Sequence, residues 1–207
     1  IATVPLSRNP VLWITVAAAS VLPVSFFASS MIAHGADGVR QLAQYFALEQ
    51  VHQVLVYLPA IVGQALLPLI SRRMGRSEAR PQRARMLRRM ALVAAASALA
   101  GLLFGAATIT DVGWVVRLLG NPALAASDAW AIRWMALNAT LALSLSVAGG
   151  ALLGAGHLVG AGLLNVVWGV VFVSLTSTLS SYGNVGLQAG RFAASLVLAT
   201  VAALMLL

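Results

Sequence analysis

Cysteine and lysine are missing from this 207-residue chain, and acidic residues number only five. Without cysteine there is no disulfide framework, no thiolate metal site and no cysteine nucleophile. All 13 basic residues are therefore arginine, a bias that reads as genome composition more than chemistry. Charged residues make up 9% of the chain, where a soluble domain carries roughly 25%. No phosphate-binding glycine loop, zinc signature or nucleophile elbow occurs, so nothing points to ATP hydrolysis or to a catalytic residue. The start lacks the pattern of a cleaved signal peptide, and no internal repeat is visible.

What the sequence does contain is apolar length. It is 60% hydrophobic, with a mean hydropathy of +0.92. A hydrocarbon core about 30 Å thick needs roughly 20 apolar residues per helical span. Six such segments are predicted, over 11–33, 39–70, 90–110, 129–153, 158–179 and 185–207. The expected fold is all-α, a polytopic membrane protein whose six transmembrane helices form a single lobe over 1–207. Trp114, Val115, Leu118 and Leu119 predict a short interfacial helix between the third and fourth spans. Ile1 at one end and an apolar run over 202–207 at the other read as part of a longer protein.

The formal charge of +8 would suggest nucleic acid in a soluble protein. Here the excess sits in one connection, Arg72 to Arg89, between two apolar spans, so anionic membrane lipids are the expected counter-charge and nucleic acid is not an expected partner. With an even number of spans, both ends share a side with this connection and with Arg8, nine arginines together, against Arg40, Arg117, Arg133 and Arg191 on or near the other. The positive-inside rule then places both termini in the cytoplasm of a cell inner membrane.

Candidate site residues concentrate on the second helix. Glu49, Gln53, Tyr57 and Gln64 recur at helical spacing on one face, with His52 on its flank, while Val51, Val54, Leu55, Leu58, Ile61 and Val62 read as a lipid-facing stripe. A charge at mid-bilayer costs at least about 2.5 to 3.5 kcal/mol. These groups therefore either face a wet cavity or bond between packed helices. Glu49 and His52, one turn apart, form half of a metal or proton-relay pattern, but the second Glu-x-x-His of a di-metal bundle is missing; no metal or cofactor is expected. In the last helix Gln188, Arg191 and Ser195 share a face. Arg191 either binds an anionic group inside the bundle or snorkels to the interface. Asn138 and Asn165 read as interhelical hydrogen bonds.

The stretch Gln44-Tyr45-Phe46-Ala47, then Leu58-Pro59 and Leu67-Pro68-Leu69-Ile70-Ser71-Arg72, resembles the second helix of a lobe in the polysaccharide and lipid-linked oligosaccharide flippases, members of the multidrug and oligosaccharidyl-lipid exporter superfamily. Leu152-Leu153-Gly154-Ala155-Gly156 and Tyr182-Gly183-Asn184-Val185-Gly186-Leu187 are similar to that family's pattern as well. The resemblance covers almost the whole chain and implies the second six-helix lobe of a secondary transporter, with a first lobe in the same or a separate chain as partner. It implies a polyprenyl-diphosphate-linked sugar as substrate, flipped by alternating access, in a cavity lined by Arg40, Glu49, His52, Gln53, Tyr57, Gln64 and Arg191. A multidrug exporter lobe and an intramembrane sugar polymerase or ligase are the alternatives. If Glu49 serves transport alone, Glu49→Gln is expected to keep the fold and lose flipping.

Overall fold

A computed structural model describes residues 10–35, 37–74, 80–120, 129–154 and 158–206. Among these the chain is all-helical: α1 Pro10–Ala33, α2 Gly38–Met74, α3 Arg80–Thr110, α4 Gly113–Leu119, α5 Ala129–Gly154, α6 Leu158–Leu179 and α7 Gly183–Leu206. Each of the six long helices covers one of the six apolar segments, but α2 and α3 also run into the arginine-rich connection, α2 ending at Met74 and α3 starting at Arg80. The short α4 occupies the segment around Trp114. Among the described residues one stretch, Gly162–Val201, is long and apolar enough to cross a membrane; the pair Ala95–Thr110 and Gly113–Leu119, bent by 100°, adds a second if counted as one span.

Glycines and side-chain caps make the turns. Asp37, at φ 57°, starts α2 and is paired with Arg40; a methyl on Gly38 would run into the Ala33 carbonyl. The bend after α3 is held by Asp111, whose Oδ1 accepts the Gly113 amide at 2.7 Å while Oδ2 accepts Arg117 at 3.3 Å. Gly120, at φ 64°, ends α4 in the left-handed region that glycine enters without a steric penalty. Gly183, at φ 57° and ψ −134°, turns the chain from α6 into α7, and the two helices pack antiparallel, with Gly190 against Leu175 and Thr176.

The packing has α5 at its centre, against α2, α3 and α7, while α6 lies between α7 and α1. Gly101 and Gly105 let α3 approach α5 closely enough for Thr140 to donate to the Gly101 carbonyl at 2.8 Å. Two apolar clusters result. Leu48, Ile132 and Met135 pack with Val115 and Val116 of α4, and Trp114 meets Phe104 edge-on. Ala28, Ile32, Tyr45, Phe172, Leu187 and Ala194 form the other. Large aliphatic side chains remain exposed on the outer faces of α3, α6 and α7, including Leu99, Leu103, Val166, Val170 and Leu196.

Candidate functional site

Between the two clusters runs a polar seam that ties α2, α5, α6 and α7 together. Its centre is an ion pair: Arg191 of α7 donates through Nη1 to Glu49 Oε2 and through Nη2 to Oε1, the latter at 3.2 Å. Both side chains are largely buried, 11% exposed for Arg191 and 18% for Glu49. A two-pronged guanidinium–carboxylate contact fixes orientation as well as distance, which a lysine would not do. Gln53 adds a third donor to Glu49 Oε1, at 2.7 Å.

Behind the pair lies a hydrogen-bond chain whose direction can be deduced. Trp168 can only donate, and its Nε1 gives a hydrogen bond to Ser195 Oγ at 3.4 Å. Ser195 donates to Asn138 Oδ1 at 2.7 Å. That fixes the amide, so Asn138 Nδ2 donates to His52 Nε2 at 3.0 Å. In this network the neutral His52 therefore carries its proton on Nδ1, which stands 3.9 Å from Glu49 Oε1. Every donor along the chain points from α6, through α7 and α5, toward the carboxylate on α2.

The structure brings together three of the residues singled out in the sequence beside Glu49: His52, Gln53 and Arg191. The snorkelling alternative for Arg191 gives way to pairing, because Glu49 reaches it across the α2–α7 contact. Asn138 does bond between helices, as its position in an apolar run requires. Tyr57 lies outside the network, 65% exposed on the outer face of α2. Arg40 stands apart at the helix start, exposed and held by Asp37 at 3.0 Å. The Gln64 side chain and those of the arginine-rich connection lie outside the described residues.

The two-stripe reading of α2 needs correction. Its exposed face combines Gln50, Gln53 and Tyr57 with Phe46, Val54 and Ile61, while Val51 and Leu55 turn partly inward. Val51 packs on the cluster around Leu48. The helix turns its most apolar side to α4 and α5, so polar and aliphatic groups share the open side.

No family model, curated protein or solved structure matches the chain. The site must be read from its own geometry. Sequence reasoning passed over Trp168 and Asn184. Asn184 had a signal: Asn184, Gln188, Arg191 and Ser195 follow one another at spacings of four, three and four, extending the polar face of α7 by a turn. Trp168 had none, because an indole in an apolar helix gives no sign of which partner its N–H will find.

Proposed function

We propose that this chain is a six-span lobe of a secondary transporter, a flippase that moves a polyprenyl-diphosphate-linked sugar across the cytoplasmic membrane. The observation that carries the reading is the Glu49–Arg191 pair, buried in a bundle whose helices α3, α6 and α7 turn aliphatic side chains outward. In water such faces are a liability; in lipid they are the solvated surface. A charged pair inside such a bundle marks a path or switch more often than a staple, because its desolvation offsets much of its Coulombic gain.

In this reading the open face of α2, with Gln50, Gln53 and Tyr57, borders a cavity completed by a second six-helix lobe. Glu49 and Arg191 lie one layer behind it. A diphosphate entering the cavity competes with Glu49 for Arg191, since both are oxyanions suited to a guanidinium fork. Binding would thus open a contact between α2 and α7, two helices that a rocking lobe has to shift. Neutralisation of Glu49 by Arg191 argues against the multidrug alternative, where a cationic substrate needs an uncompensated acid. The termini and the arginine-rich connection face the cytoplasm, and anionic lipid binds there.

The test is the supply of lipid-linked sugar to the outer leaflet, compared between cells with and without the full transporter. Supply that depends on the protein is expected. Equal supply in its absence would reject the flippase reading.

A further inference from the structure

The starts of α2, α5 and α7 and the short α4 gather at one end of the bundle. Gln41 Oε1 accepts the Asn184 backbone amide at 3.1 Å, which sets the starts of α2 and α7 side by side. Trp134 of α5 meets Phe192 of α7 at 5.4 Å, and Ile132 packs with Val115 and Val116 of α4. Arg40, Arg117, Arg133 and Arg191 therefore lie toward the same end, the outer one in the proposed topology. Three of them face a carboxylate: Arg40 has Asp37, Arg117 has Asp111 and Arg191 has Glu49. Arg133 has none among the described residues. Its guanidinium lies over the Trp130 ring, 5.0 Å from the centroid.

That arrangement is electrostatically incomplete. Arg133 is the fifth residue of α5, and helical side chains lean toward the N-terminus, so its charge is carried back over the first turn. A helix start has about half a positive charge of its own and disfavours a cation. Arg40 meets the same difficulty in α2, and Asp37 offsets it there. The indole face attracts Arg133 but brings no counter-charge. What is missing is an anion.

The surroundings select which anion. Ala131, Ile132, Met135 and Ala136 turn one side of α5 into the core, while Trp130 is 61% exposed and Arg133 half-buried. The pair thus stands on the open side of α5, one turn from its start, where interfacial tryptophans sit at headgroup level. A free phosphate would need several enclosing donors, and one guanidinium does not enclose it. A phospholipid adds glycerol and acyl chains that lie along the exposed indole, and its phosphate offers two oxygens to the guanidinium fork. No carboxylate beside Arg133 is present among the described residues to receive the ammonium of a zwitterionic headgroup, so net negative charge fits best.

We infer that Arg133 and Trp130 form a site for the phosphate of an anionic phospholipid in the outer leaflet, at the opposite end of the bundle from the arginine-rich connection. The site rests on the reading that the chain spans a membrane, and not on flipping.

The experiment is native mass spectrometry of the full chain from detergent micelles, titrated with phosphatidylglycerol, phosphatidylcholine or inorganic phosphate. Wild type is expected to hold one phosphatidylglycerol whose affinity falls about tenfold or more in Arg133→Gln, as for the loss of charge-assisted hydrogen bonds. Trp130→Ala should weaken the same lipid, and phosphatidylcholine should bind there less well. Arg117→Gln removes an equal charge from the same end and should keep the lipid. Equal losses in Arg117→Gln and Arg133→Gln would reduce the binding to diffuse charge and overturn the site, and displacement of the lipid by inorganic phosphate would overturn it in favour of a free-anion site. Arg133→Lys, which keeps the charge without the fork, should give an intermediate loss and decides the matter if Arg133→Gln does not fold. A chain that holds the lipid but flips no sugar would reject the flippase alone; one that flips sugar with equal lipid affinity in wild type and Arg133→Gln would reject the site alone.

Discussion

At the scale of single residues, the Glu49–Arg191 contact changes what neutralising Glu49 should do. Taken alone, the carboxylate is a desolvation cost that glutamine relieves; paired, its removal leaves Arg191 buried without a counter-charge. Breaking a buried pair from one side costs roughly 3 to 5 kcal/mol, whereas replacing both partners is often near neutral. Glu49→Gln and Arg191→Gln are each expected to lower stability strongly, and the double variant to recover most of it, in reversible unfolding from detergent micelles. A loss in the double variant equal to the sum of the two single losses would mean that the pair is not formed. Asn138 offers a second residue-level test, because its amide serves both His52 and Ser195. Asn138→Ala should cost about 1 to 3 kcal/mol through the buried groups left unpaired. Adding Ser195→Ala should then cost less than it does alone, since its acceptor is already gone. Strict additivity would contradict the directed chain.

At the scale of elements, glycines mark where the helices are obliged to turn, and they are not equivalent. Gly183 and Gly120 both have positive φ, but a methyl on Gly183 would strike Gln41 Oε1, whereas nothing lies within 4 Å of one on Gly120. Gly183→Ala therefore meets strain of about 1 to 3 kcal/mol and also displaces the acceptor of the Asn184 amide. Gly120→Ala meets only the left-handed penalty of about 1 to 2 kcal/mol. Thermal unfolding should rank Gly183→Ala as the more damaging; the reverse order would argue against the described α6–α7 turn. The elements themselves were legible, because six apolar runs announce six long helices and the residues from Trp114 to Leu119 announce a short one between the third and the fourth. The faces of α2 were not. Periodicity locates a polar side, but which side is open depends on where α4 and α5 lie, and that is set by residues on other helices far along the chain, such as Val115 and Ile132. The destination of Arg191 was hidden for the same reason: spacing put it on a polar face, and only the crossing of α2 and α7 supplied Glu49.

At the scale of the whole molecule, the proposal predicts a topology and an activity. Cysteine-free sequence makes single-cysteine labelling clean. A cysteine at position 37 should react with an impermeant reagent added outside intact cells, and one at position 80 should not; the opposite pattern would reverse the orientation. The central claim is that the buried pair serves transport and is not merely a strut between helices. The double variant Glu49→Gln, Arg191→Gln separates these roles, because it removes both charges while leaving no bare ion behind. The decisive measurement is the outer-leaflet supply of lipid-linked sugar in cells carrying this variant in the full transporter, at wild-type abundance. The account predicts a folded, membrane-inserted protein whose supply falls to the level of cells lacking it; supply at the wild-type level would contradict the account and reduce the pair to architecture.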